Sequence, residues 1–342
     1  MIATRTPFRV TLGGGGTDLP RFYEKHGGFI LAMGIDKYMY VVVNVPNADR
    51  LVRLHYTSSE TVERVDQLRH GLAREALRAH GISDAIEIAS LADLPAGTGL
   101  GSSSCYLVGL LNAIRAYLSR PVPLEELAEE ACRIEMEVLQ RPIGKQDPYL
   151  AALGGLTELE IERSGRVRVR RLNLAPHLLA DLVANMHLYY TNRQRDATDI
   201  LEEMNRAMAQ GGGGAVEKSL LKIRDTGYAI AEAIRASEFD RFGRLLHEHW
   251  MAKQRLSDKV SLSEVDRLYD HLREEYGVLG GKVAGAGGGG FLMLYCPSGH
   301  RRLMDFMGRQ GMSRLSYTVE QEGSRVVAHV LKSSALHHHR SG

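Results

Sequence analysis

The sequence predicts an α+β protein of two domains, and three observations carry that expectation. Segments with strand periodicity and segments with helix periodicity follow one another in both halves of the chain. A length of 342 residues is sufficient for two separate cores. A content of 44% hydrophobic and 25% charged residues is that of an ordinary globular protein, with no sign of a disordered or fibrous class.

Each element has its own signal. Residues 29–45 are rich in Ile, Val, Tyr and Met, with Tyr38, Tyr40 and Val42 alternating, which predicts paired strands around Asp36 and Lys37. A helix is expected over residues 65–80 and a strand over 85–88. Leu107, Leu110, Leu111, Ile114 and Leu118 recur at helical spacing and predict a helix over 105–118. Over residues 124–139, Leu127, Ala131, Ile134 and Val138 form one stripe, and Pro142 stops that helix. Residues 156–172 alternate and turn at Ser164-Gly165, the pattern of a hairpin. A second unit starts near Leu182, with helices over 197–210, 216–237 and 239–255, and Gly211 to Gly214 as a flexible joint. A strand over 291–295 and further strand over 317–331 complete the second half. The expected division is therefore 1–181, 182–332 and a tail, 333–342.

Charge and cysteine usage exclude several classes. The formal charge is only +2, so no field drives the protein onto nucleic acid or anionic lipid, and neither partner is expected. Cys105, Cys132 and Cys296 lie far apart with no C-x-x-C pair, which predicts reduced, buried thiols. The first residues lack the apolar core of a signal peptide, and no apolar run approaches ~18 residues. A cytoplasmic location is expected. His337, His338 and His339 fall in the polar tail and read as solvated.

The most informative segment is Asp93-Leu94-Pro95-Ala96-Gly97-Thr98-Gly99-Leu100-Gly101-Ser102-Ser103-Ser104, where glycines run into serines at the start of the apolar helix. Glycines allow a sharp turn and a close approach of main chain to an anion, and a helix N-terminus favours negative charge. The segment lacks the Lys of a Walker loop and follows no G-x-G-x-x-G turn, so it fits neither of those nucleotide motifs. Alone it could be a flexible loop ending in a Ser N-cap. Two further glycine-rich segments accompany it: residues 7–18, ending Gly13-Gly14-Gly15-Gly16-Thr17-Asp18, and residues 282–291, containing Gly285-Ala286-Gly287-Gly288-Gly289-Gly290.

In this order the three segments resemble the three motifs of the GHMP kinase superfamily, whose members phosphorylate small alcohols, and the resemblance spans roughly Ile2 to Leu331. It implies an N-terminal domain similar to the second domain of ribosomal protein S5 and a ferredoxin-like C-terminal domain. It also implies ATP as co-substrate, held by Pro95, Gly97, Gly99, Leu100, Gly101, Ser102, Ser103 and Ser104, with Mg2+ ligated by Ser103 and Glu135. Asp147, within Arg141-Pro142-Ile143-Gly144-Lys145-Gln146-Asp147-Pro148, matches the family's turn carrying the catalytic base. Read locally, it could merely shape a turn before proline. Arg9 stands nine residues before Asp18, the spacing of the galactokinase motif in which the arginine faces the reacting hydroxyl and the aspartate holds sugar hydroxyls. That motif's Glu-His pair is Gly15-Gly16 here, which argues against galactokinase itself and leaves room for a larger acceptor.

Residues 14–20, 144–147, 190–195 and 285–291 look like those of the bacterial D-glycero-D-manno-heptose 7-phosphate kinase branch. This implies a phosphorylated sugar as small-molecule partner and phosphorylation of its anomeric hydroxyl. Expected acceptor contacts are Thr17, Asp18, Lys145, Gln146, Arg193, Arg195, Gly287, Gly288 and Gly289. A sugar phosphate carries a dianion and calls for cations, for which Lys145, Arg193, Arg195 and Lys253 are available, although each could equally be a surface charge. The alternatives are a kinase for another sugar, such as fucose, a uronic acid or an octose 8-phosphate, and a regulator that binds sugar and nucleotide without turnover.

Overall fold

The computed structural model describes residues 1–193, 197–209 and 214–330. In chain order the first part contains β1 (Ile2–Gly13), α1 (Pro20–His26), β2 (Gly28–Asn44), β3 (Val52–His55), β4 (Ser59–Val62), α2 (Gly71–Ala79), β5 (Ile86–Ala92), α3 (Ser102–Tyr117), α4 (Leu124–Cys132), α5 (Gln146–Leu153), β6 (Leu156–Ile161) and β7 (Val167–Arg171). There follow α6 (Pro176–Asn185), β8 (Met186–Tyr190), α7 (Ala197–Ala209), α8 (Ala215–Arg235), α9 (Phe239–Gln254), α10 (Ser263–Glu275), β9 (Gly280–Val283), β10 (Phe291–Tyr295), α11 (His300–Arg309), β11 (Arg314–Leu315) and β12 (Arg325–His329).

The first sheet has eight strands, in the order β12-β1-β2-β5-β3-β4, with the β6-β7 hairpin joined to β2. Its hydrophobic face is covered by α3, whose Leu107, Leu110, Leu111 and Ile114 are fully buried as the spacing predicts. The second sheet is antiparallel in the order β11-β8-β10-β9, the 4-1-3-2 arrangement of a ferredoxin-like domain. Mixed helix and sheet in two layers bears out the expected α+β class. The segment beyond Tyr317 returns to the first sheet: β12 pairs antiparallel with β1, and Val319 bridges Ile35.

Three elements differ from expectation. The paired strands expected over 29–45 are one continuous strand, Gly28–Asn44, and Asp36-Lys37 is a bulge where the partner of Pro7 is Tyr38 and that of Phe8 is Ile35. The crossing segment holds the bulge: the Asp36 N–H donates to Thr318 O at 3.0 Å, and its carboxylate accepts from the Thr318 N–H at 2.9 Å. The bend lets β2 pair with β6 at one end and β5 at the other. The helix expected over 65–80 is a short 3-10 turn, Val65–Gln67, followed by α2, because His70 caps α2 by accepting from the Ala73 N–H at 3.2 Å. The helix expected over 124–139 passes at Arg133 into a π turn, Arg133–Val138. The wider turn rotates Val138 into solvent, 46% exposed, and carries Glu135 to 0% exposure.

All three cysteines are free and buried, as expected. Among the described residues no helix is long and apolar enough to cross a membrane. The joint over 211–213 and the histidines of the tail lie outside the described residues.

Candidate active site

The three glycine-rich segments converge on a cavity of about 660 Å³. Strand β1 brings Arg9 and Thr11 to its wall, and the turn after it brings Gly15, Gly16 and Asp18. The loop before α3 contributes Gly97, Gly99 and Gly101, and the β9–β10 turn contributes Gly285, Gly287 and Gly289. Two of these glycines are required by close approach: a Cβ on Gly285 would fall 2.6 Å from Gly99 Cα, and one on Gly99 would fall 2.8 Å from Ala284 O. The two loops therefore interlock through bare backbone.

Gly101, with φ of 85°, turns the chain into α3. The N–H groups of Ser102, Ser103 and Ser104 lie in the first turn, where no intrahelical acceptor exists, and the helix dipole adds positive potential there. Ser102 and Ser103 line the cavity. Free backbone donors at a helix N-terminus are suited to holding a phosphate.

Asp147 stands beside it. Its place is the first turn of α5 rather than the expected loop, and its Cγ lies 3.5 Å from where a Gly101 Cβ would be. Asp147 Oδ1 accepts from Arg9 Nε at 2.7 Å and Nη2 at 2.6 Å, while Arg9 Nη1 donates to Gly99 O at 2.7 Å. Arg9 is 3% exposed and Asp147 26%, so this charged pair faces the cavity from the carboxylate side.

Asp18 is a second carboxylate on the same cavity wall. Its Oδ2 accepts from the Gln146 N–H at 3.0 Å and its Oδ1 from the Gly16 N–H at 3.2 Å. Burial pushes its pKa up to about 6, with the Asp147 charge adding to the rise and the Gln146 N–H opposing it. Gly144 lies directly on the Asp18 carboxylate, where any side chain would collide.

The π turn presents Glu135 to the first turn of α3. Ser104 Oγ donates to Glu135 Oε2 at 2.6 Å, Ser103 Oγ lies 3.4 Å from Oε1, and Arg141 Nη1 donates to Oε1 at 3.0 Å. Burial raises the Glu135 pKa, against the lowering effect of Ser104 and Arg141. The Ser103 hydroxyl and Glu135 Oε1 are adjacent hard oxygens, a donor set of the kind a small divalent cation takes.

Of the expected residues, Arg9, Asp18, Gly97, Gly99, Gly101, Ser102, Ser103, Gln146, Asp147, Gly287 and Gly289 line the cavity. Pro95, Leu100, Ser104, Thr17 and Gly288 are not among its lining residues. Thr17 Oγ1 lies within hydrogen-bond distance of Gly14 O and Phe29 O, and accepts from the Phe29 N–H, so it braces the turn. Two expected phosphate ligands point elsewhere. Lys145 faces α4, where Glu129 takes both its contacts at 2.8 and 2.9 Å and Tyr149 bonds the same carboxylate. Arg193 pairs on the surface with Glu264 at 2.5 Å. Arg195 lies outside the described residues. Sequence reasoning missed Arg141, His249 and Lys282, which line the cavity together with Lys253. Lys282 stood at the edge of the third motif, but a single lysine and a histidine on an apolar helix carry no pattern of their own.

The model of the GHMP kinases N terminal domain matches residues 67–155, and that of the GHMP kinases C terminal matches 230–307. The chain is 30% identical over 310 residues to D-glycero-alpha-D-manno-heptose 7-phosphate kinase of Campylobacter jejuni, covering 86% of this chain and 89% of that protein. It is 23% identical over 320 residues to galactokinase of Thermotoga maritima, covering 85% and 88%. The crystal structure of a D-glycero-D-manno-heptose 1-phosphate kinase from Bacteroides thetaiotaomicron has the same fold, with a TM-score of 0.78 at 23% identity, covering 97% of this chain and all of that one.

Proposed function

Since the chain belongs to the GHMP kinase family and is a sugar kinase using ATP, we propose that its acceptor is D-glycero-D-manno-heptose 7-phosphate, phosphorylated on the anomeric hydroxyl to the 1,7-bisphosphate. The observation that carries the reading is the Asp147–Arg9 pair set against the mouth of α3, a base beside a phosphate cradle. The name of the Campylobacter jejuni relative supplies the acceptor.

The phosphate chain of ATP lies along the N–H groups of the first turn of α3. The anomeric hydroxyl gives its proton to Asp147 and its oxygen attacks the γ-phosphorus, while the bond from phosphorus to the β–γ bridging oxygen breaks and ADP leaves. Arg9 holds Asp147 in place and steadies the emerging alkoxide. Asp18 and Gln146 orient the sugar hydroxyls, and a turn with Gly15 and Gly16 gives the acceptor room. Ser103 and Glu135 would hold Mg2+, which would supply positive charge to the nucleotide phosphates. We place the reaction in the cytoplasm, where ATP and sugar phosphates occur together.

The test is coupled ADP release with heptose 7-phosphate, unphosphorylated heptose, hexoses and hexose 6-phosphates as acceptors. Turnover is expected to be fastest with heptose 7-phosphate. A preference for a neutral sugar would overturn the acceptor assignment.

A further inference from the structure

The cations that the sequence offered for an acceptor phosphate are engaged elsewhere. Of the arginines on the cavity wall, Arg9 neutralises Asp147 and Arg141 neutralises Glu135. Two lysines remain. Lys253 on α9 and Lys282 on β9 open onto the cavity, only 6% and 3% exposed, and among the described residues neither has a carboxylate partner. Lys253 Nζ donates to Val283 O at 2.8 Å and Gly285 O at 2.6 Å, and Lys282 Nζ donates to Leu12 O at 3.2 Å. An ammonium has three donors, so one proton on Lys253 and two on Lys282 are left over.

His249 lies one turn before Lys253 on α9, and its spacing of four residues puts both on one face. It is 1% exposed, lines the same cavity, and neither ring nitrogen has a hydrogen-bond partner. Buried donors without acceptors are costly, and two buried ammoniums without a counter-ion are costlier still. Burial drives the Lys253 pKa down to about 7 with Arg9 adding to the fall, and holds Lys282 and His249 well below their ordinary values. Packing alone is met by apolar side chains at these positions. Two lysines with donors to spare and a histidine without partners, brought from two elements to one cavity wall, point to an anion as the ligand.

We propose that Lys253, Lys282 and His249 form a phosphate-binding wall, separate from the first turn of α3, that takes a phosphate dianion carried by the acceptor sugar or by the terminal group of ATP. A dianion supplies acceptors to the free ammonium protons and to one ring N–H of His249, and it neutralises the lysines. The acceptor alternative rests on the sugar phosphate kinase reading; binding of phosphate itself does not.

The experiment is calorimetric titration of the full chain and of Lys253→Met and Lys282→Met with inorganic phosphate, AMP-PNP, heptose 7-phosphate and unphosphorylated heptose. Each substitution is expected to weaken phosphate binding at least roughly tenfold, as loss of a charge-assisted bond does, with neutral heptose unaffected. Selective loss of heptose 7-phosphate assigns the wall to the acceptor, and selective loss of AMP-PNP assigns it to the nucleotide. Wild-type affinities for all three phosphates in both folded variants overturn the proposal. Should either variant fail to fold, the wild-type protein with 13C at lysine Cε is titrated instead. Shifts of the Lys253 and Lys282 signals saturating with inorganic phosphate support the wall, and unmoved signals overturn it. These measurements need no turnover, so absence of ADP release with every sugar phosphate would refute the kinase reading and leave the wall separately decided.

Discussion

Replacing Asp147 by Asn keeps the size of the side chain and removes its charge and its capacity to take a proton. The structure separates two consequences. The amide oxygen of Asp147→Asn could still accept from Arg9 Nε and Nη2, which lie 2.7 and 2.6 Å from Oδ1 of the native carboxylate, but as a neutral acceptor. The difference between a charge-assisted and a neutral bond is about 1 kcal/mol, reduced further because Asp147 is 26% exposed. The fold should therefore lose little, and Arg9 keeps its bond to Gly99 O. The chemical step should lose at least ~10²-fold in kcat, or ~2.7 kcal/mol, the lower end of general-base contributions. The assay is kcat at saturating ATP and acceptor, with Tm and AMP-PNP affinity as controls. Near wild-type kcat would refute the assignment of Asp147 as base, whatever else the site does.

Other perturbations follow from the same geometry. Glu135→Gln should raise the Mg2+ concentration for half-maximal rate, whereas Glu137→Gln, on an exposed residue of the same π turn, should not; equal effects would contradict the ligand assignment. Lys145→Met should leave the preference for phosphorylated over neutral sugar unchanged, because Lys145 is engaged with Glu129; a loss of preference, measured as a ratio of kcat/KM values, would contradict the placement. If the acceptor phosphate uses the lysine wall, its KM should rise as pH climbs through the Lys253 pKa of about 7, because the ammonium is lost there. Lys282, His249 and Arg9 face the same group, and Lys253→Met should flatten that limb of the pH profile. A profile unchanged in the variant would contradict the role of Lys253.

Sequence patterns made the glycine loops and the α3 stripe legible because each depends on local spacing, whereas the ferredoxin-like half was implied only by the resemblance to the GHMP kinases. Gly99 and Gly285 were recognisable as glycines that matter, but only the fold shows that they matter to each other. The π turn was hidden, since Leu127, Ala131, Ile134 and Val138 keep helical spacing right through it and nothing local marks the extra residue. Its consequence, a buried Glu135 beside an exposed Glu137, is the physical difference that acidic composition alone concealed. The cations show the same limit. Lys145 and Arg193 were chosen for charge near the motifs, and local carboxylates, Glu129 and Glu264, captured both. Lys282 and His249 act only through long-range packing of β9 and α9 against the cavity, which no periodicity records. Strand β1, buried without interruption from Thr6 to Gly13, was not assigned from the sequence although Phe8, Val10 and Leu12 alternate along it, because Pro7 within the run reads against a central strand.

The central claim is that the anomeric oxygen of a sugar phosphate attacks the γ-phosphate of ATP. It is tested most directly by following ATP, Mg2+ and D-glycero-D-manno-heptose 7-phosphate with the protein by 31P NMR. The account predicts a new sugar phosphate ester coupled to the anomeric proton, appearing at the rate of ADP formation while the signal of the original phosphate persists. ADP without a new ester, or an ester on any other hydroxyl, would contradict it.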